Sequence, residues 1–141
     1  MLNQKAGIWI DHRKATIVML SPDAQQITLI VSNVEKHLER AGDSPLKGSY
    51  EAAQVPADDS RQRALTAELN IFYDAVVAAV RHAESVLIFG PGEAKIELKK
   101  RLLKRRLGAR IAAVQSADKM TDAQIAARAR EYFGPADVLQ P

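Results

Sequence analysis

Apolar and polar positions open the chain in short blocks. Ala6–Ile10 (AGIWI) is an apolar run that stops at Asp11, and Lys14–Leu20 (KATIVML) is a second, β-branched one. Only Asp11-His12-Arg13 separates them, which reads as a tight hairpin. Ser21-Pro22-Asp23 is a turn signal, and Gln26–Ser32 (QITLIVS) then reads as a third strand. The first part of the chain thus predicts an antiparallel meander.

From Asn33 to Asp59 neither period holds, because Gly42, Asp43, Ser44, Pro45, Gly48, Ser49 and Pro56 interrupt it. A short helix near Val34–Arg40 is compatible with the pattern, and connections this long are usually functional or disordered. Asp59 or Ser60 would cap a helix running to about His82, with Leu65, Leu69, Phe72, Val76 and Val80 as its stripe and Tyr73 and Val77 widening it. Ser85–Phe89 (SVLIF) is uniformly apolar, as a strand covered on both faces would be. Gly90-Pro91-Gly92 turns the chain into a second helix, with Pro91 expected at its first position, Ala94, Leu98, Leu102 and Leu103 buried, and Gly108 as a left-handed cap. Arg110–Val114 (RIAAV) is a fifth strand. Thr121 and Gln124 form a capping box for a last helix whose Ile125, Ala129, Tyr132 and Phe133 face inward before Gly134-Pro135 ends it.

Right-handed crossovers make the last two strands parallel to one strand of the meander. The simplest solution is an α/β fold with a ribonuclease H-like five-stranded mixed sheet, order 3-2-1-4-5, and helices on both faces. Residues 1–141 are expected to form a single domain with a long loop at 33–59.

Composition narrows the chemistry. The 141 residues contain no cysteine, which excludes disulfides, a thiol nucleophile and cysteine-ligated zinc. No apolar run approaches the roughly 20 residues of a membrane span, and the first residues lack a signal peptide's apolar centre, so a cytoplasmic protein with no membrane partner is expected. His12, His37 and His82 have no metal-ligand spacing. No dinucleotide or phosphate-loop fingerprint is present, so no cofactor is implied.

Charge is the informative feature. The chain is formally +3, yet Gly90–Arg110 alone, with eight basic and two acidic residues, carries +6. Lys95, Lys99 and Arg106 share one side of the predicted helix, flanked by Lys100 and Lys104, with Arg105 and Arg110 completing the candidate nucleic-acid-binding set. Two readings stand side by side: a solvated helix surface whose cations suit the helix dipole, or a face that contacts phosphates. No aromatic residue interleaves the cations, so any RNA contact would be to backbone and shape. Gly90 and Gly92 could offer backbone N–H groups to an anion, although a strand-to-helix turn explains them as well. Trp9, flanked by Ile8 and Ile10, reads as sheet packing.

Asp11, Glu93 and Asp122 fall roughly where ribonuclease H-like nucleases place metal-binding carboxylates, which makes a metal-dependent nuclease one alternative. Each also has a local reason to be there, a hairpin or a first helical turn. A protein-interaction module using the acidic loop or a sheet edge is another alternative.

Two segments, GIWIDHRKATIVML (residues 7–20) and VLIFGPGEAKIELKKRLLKR (residues 86–105), resemble the middle domain of archaeo-eukaryotic class 1 release factors and pelota. The version they resemble is the stand-alone bacterial translational machinery protein, and the likeness covers residues 6–134. It implies the same sheet order and a ribosome or tRNA partner. Release factors of the family hydrolyse peptidyl-tRNA through Gly-Gly-Gln between the third strand and the first long helix. Residues 33–59 contain no such tripeptide; Gly48-Ser49 and Gln54 are not contiguous. The resemblance therefore implies binding without that chemistry: a non-catalytic ribosome- or tRNA-associated protein, no metal, with a homodimer left open.

Overall fold

The computed structural model describes the backbone of residues 4–33 and 51–139, and the side chains of residues 4–33 and 60–133. Five strands, β1 (Lys5–Ile10), β2 (Lys14–Ser21), β3 (Ala24–Val31), β4 (Ser85–Gly90) and β5 (Ile111–Ser116), form one sheet in the order β3-β2-β1-β4-β5. The β3-β2-β1 half is antiparallel, and β1-β4 and β4-β5 are parallel. The expected α/β fold and strand order are therefore observed. Among the described residues three α-helices, α1 (Glu51–Val80), α2 (Ala94–Lys104) and α3 (Asp122–Leu139), cover both faces.

Strand alternation divides the apolar residues between two cores. Ile8, Ile10, Ile17 and Ile88 meet Phe72, Val76 and Val80 of α1 and Leu98 and Leu102 of α2. On the opposite face Trp9, Val18, Leu87 and Phe89 meet Ile125, Ala126, Ala129 and Phe133 of α3. β1 and β4 are central and covered twice, which is why AGIWI and SVLIF are apolar without alternation. Trp9 is core, as its flanking isoleucines suggested.

Several boundaries differ from the pattern reading. β3 begins at Ala24, because Pro22-Asp23 is a two-residue turn that sets Ser21 opposite Ala24. Ser32 lies past the strand, although its N–H still donates to Arg13 O at 2.9 Å. α1 starts at Glu51 rather than at Asp59 or Ser60, so the connection after β3 is shorter than predicted. Glu-Ala-Ala-Gln at its start are good helix formers, and Pro56 near that end removes a single helical bond without stopping the helix. The suggested helix at 34–40 lies outside the described residues. α3 likewise continues through Gly134-Pro135 to Leu139. Its capping box is formed as expected: Thr121 N donates to Gln124 Oε1 at 2.9 Å, and Gln124 N to Thr121 Oγ1 at 3.1 Å. Tyr132, expected inside, is 42% exposed.

The end of the basic helix also differs. α2 stops at Lys104, and Leu107 N donates to Leu102 O (2.8 Å) while Arg106 N donates to Leu103 O (3.0 Å). This is the paired 6→1 and 5→2 closure of a Schellman cap, with Arg106 as the left-handed residue at φ 65°. Gly108 lies beyond this cap, and a Cβ there would stand 2.2 Å from the tip of the Leu103 side chain, which is free to turn aside. Leu103 packs over that glycine and remains 52% exposed, so it is not part of the buried stripe. At the other end Glu93 is the N-cap residue, and Pro91 sits in the preceding turn rather than at the first helical position.

Candidate nucleic-acid interface

α2 lies on the α1 side of the sheet, held down by Ala94, Leu98 and Leu102. A 100° step per residue turns the remaining positions outward, and these are the basic ones. Their environments fall into two sets.

The first set is bound internally. Arg101 clamps Asp74 of α1 in a forked pair, Nε to Oδ1 at 2.8 Å and Nη2 to Oδ2 at 2.9 Å, and Arg105 Nη2 adds a bond to Oδ1 at 2.9 Å. Lys95 Nζ folds back onto Gly92 O at 2.6 Å. Arg110 Nη1 donates to Arg81 O and to Ala83 O, the latter at 3.2 Å. The second set is Lys99, Lys100, Lys104 and Arg106. All four are exposed and make no hydrogen bond or ion pair among the described residues.

Lys100 and Lys104 stand with Arg101 and Glu97 along one wall of an open groove of about 380 Å³ between α1 and α2. Gln62, Thr66, Asn70 and Tyr73 line the other wall. At the floor the buried Tyr73 hydroxyl donates to Glu97 Oε1, and His12 Nε2 from the β1–β2 hairpin lies 3.2 Å from that same oxygen. Burial first, and then the bond to Glu97, push the Tyr73 hydroxyl well above the ordinary tyrosine range, so it remains a donor. The groove therefore combines ammonium groups, a guanidinium, neutral amides and one carboxylate, a surface suited to phosphates and hydroxyls.

The Asp74 clamp has a pH signature. The hydrogen bond from Arg101, and after it the one from Arg105, hold the Asp74 carboxyl well below the usual carboxylate range despite some opposing desolvation. A depressed folded-state pKa contributes stability that is complete above the unfolded value near 3.9 and is lost as pH falls through the folded value. Asp74 is more than a third exposed and thus screened, so Asp74→Asn is expected to cost only about 0.5–1 kcal/mol at neutral pH. Urea midpoints of the wild type and the variant should converge below about pH 4. A constant gap down to pH 2 would show that the carboxylate charge does not act this way.

The Gly90-Pro91-Gly92 turn is engaged by its own chain: Gly90 O accepts from Ala117 N at 3.1 Å, and Gly92 O accepts from Lys95. Asp11 does hairpin work, its Oδ1 accepting from Arg13 N (2.8 Å) and Lys14 N (2.9 Å). Glu93 begins α2 on one face of the sheet, and Asp122 begins α3 on the other. Among the described residues no three His, Asp or Glu side chains are grouped to hold a metal ion. No described helix is long and apolar enough to cross a membrane.

An antiparallel meander extended by two parallel strands, with two of the described helices on one face and one on the other, is an α/β fold that a solved structure shares. The Pelota protein of Thermoplasma acidophilum has it, with a TM-score of 0.57 at 16% identity over 98% of this chain and 35% of its own. An archaeal translation termination factor is similar at a TM-score of 0.47 and 18% identity, over 95% of this chain and 41% of its own. The chain thus spans about a third of the Pelota protein and about two fifths of the termination factor. No family model and no curated protein sequence matches it.

Proposed function

We propose that this chain is a translation-associated binding module that attaches to ribosomal RNA or tRNA by phosphate contacts from α2. The single observation that carries the reading is the division of the cations: Lys99, Lys100, Lys104 and Arg106 project without partners among the described residues from a helix that Arg101, Arg105 and Asp74 fix in place. A left-handed conformation costs a non-glycine residue about 1–2 kcal/mol, and Arg106 holds it while its charge stays free. Lys95, Arg105 and Arg110 contribute to the field, and the turn at Gly90 and Gly92 leads into the start of the same helix. The Pelota-like fold and the resemblance of residues 7–20 and 86–105 support a place among cytoplasmic, single-domain bacterial relatives of release factors. The missing Gly-Gly-Gln supports attachment without peptidyl-tRNA hydrolysis.

The test is binding to purified ribosomes and to tRNA across a range of salt. Each neutralised phosphate should add roughly 0.7–0.9 to the slope of log K against log salt. The Lys99→Glu, Lys100→Glu double variant should lower both affinity and slope. Binding unaffected by salt and by this variant would remove α2 as the attachment surface.

A further inference from the structure

The outer edge of β3 is a second surface, unrelated to α2. β3 ends the sheet, and no strand among the described residues pairs with its far side. Its eight residues, Ala24 to Val31 (AQQITLIV), include no charge and no proline, and the ladder to β2 runs the whole length without a bulge. Natural edge strands usually carry one of those protections. Ile27, Leu29 and Val31 are 41%, 59% and 58% exposed. They lie opposite or next to Val18, Thr16 and Lys14 on the α3 face, just beyond the area that α3 covers.

The hydrogen-bonding phase of the strand follows from one contact. Ser32 N donates to Arg13 O, so the even-numbered residues of β3 turn their backbone groups toward β2. Gln25, Ile27, Leu29 and Val31 therefore present N–H and C=O to the open edge, and three of these four also carry the exposed apolar side chains.

We infer that this edge pairs with the same edge of a second copy, antiparallel, about a two-fold axis through Thr28. In that register Ile27 meets Leu29 of the other copy, and Gln25 meets its Val31. All four outward residues of each strand are then paired, giving about eight backbone bonds. The apolar stripes of the two copies interdigitate on one face, and no like charges oppose one another within the strands. The strand ends complement each other: Asp23 in one copy's turn approaches the end where Arg13 and Lys14 of the other copy lie, and symmetry repeats the contact. The result is a continuous ten-stranded sheet. An axis perpendicular to the sheet preserves its faces, so both α2 helices lie on the same side.

Light scattering of the full chain up to about 200 µM, a range that reaches small interfaces, tests this. The wild type should approach twice the chain mass as concentration rises, whereas Ile27→Lys with Leu29→Lys should hold it at the single-chain mass at every concentration while leaving far-ultraviolet circular dichroism unchanged. Amide exchange locates the contact. In the wild type Gln25, Ile27, Leu29 and Val31 should be as protected as Gln26, Thr28 and Ile30. In the double variant only the even-numbered amides should stay protected. A wild type that is monomeric throughout, including one that pairs only with another protein's strand, overturns the inference. So does a dimer whose odd-numbered amides exchange freely, and that measurement on the wild type decides the matter even if the variant does not fold.

Discussion

Replacing Lys99, Lys100, Lys104 and Arg106 together by alanine should weaken RNA binding at about 0.1 M salt by roughly three decades. The magnitude follows from counterion release. Each phosphate contact contributes roughly 0.7–0.9 to the salt slope, so moving from ~1 M to ~0.1 M salt gives each contact nearly a tenfold gain, and four contacts give about a thousandfold. The slope should fall by about three at the same time. Folding should be intact, because none of the four side chains has a partner among the described residues. Arg106→Gly alone separates the two effects: a left-handed cap is cheaper for glycine, so stability should rise by about 1 kcal/mol while binding falls. Asp74→Asn should act in the opposite sense on RNA, releasing Arg101 and Arg105 and steepening the slope. Equal salt slopes across this series would mean that α2 does not meet the phosphates.

The largest loss of stability should follow Gly90→Ala. Gly90 ends β4 at φ 152°, and a Cβ added there would stand 2.2 Å from Ile10 O and 3.2 Å from Ile10 N and C. These are backbone atoms of the neighbouring central strand, so no side chain can swing aside. Separating β1 from β4 at this point disturbs the line on which both cores rest. Steric overlap and backbone strain together should cost about 3–5 kcal/mol. For a chain of this length, that is a fall in melting temperature of roughly 10–15 °C. Calorimetry of the variant checks this; a change of only a degree or two would mean that the strands can part there freely.

The sheet was legible because each strand carried its own local signal. SVLIF reads as a doubly covered strand, and the meander is punctuated by Asp11-His12-Arg13 and by Ser21-Pro22-Asp23. The stripe of α1 and the Thr121/Gln124 box were equally local. Errors arose where a local signal competed with chain geometry. Gly108 has the residue type of a cap, but the helix has already closed on Arg106. Leu103 shares its apolar character with Ala94, Leu98 and Leu102, but one step of 100° past Leu102 carries it to the rim.

The candidate interface was half visible. Its charge could be counted, but its division into bound and free cations depends on Asp74, which lies 27 residues before Arg101 on another helix. One sign was present: Arg101 and Arg105 are four apart, on one helical face, able to converge on a single acceptor. Nothing comparable linked His12 to Glu97, 85 residues away. Polar contacts at such separations leave no periodic trace, whereas apolar burial does.

Trp9 has a practical consequence of its own. It is the sole tryptophan, 2% exposed, with its indole N–H donating to Asp118 O at 3.0 Å and Lys14 Nζ 5.8 Å from the ring centroid. The ring sits under α3, on the opposite side of the sheet from α2. Nature has thereby supplied an optical gauge of integrity screened from the cationic ridge: its emission follows the loosening of the α3 layer, while a polyanion docked across the sheet reaches it only if the whole body yields.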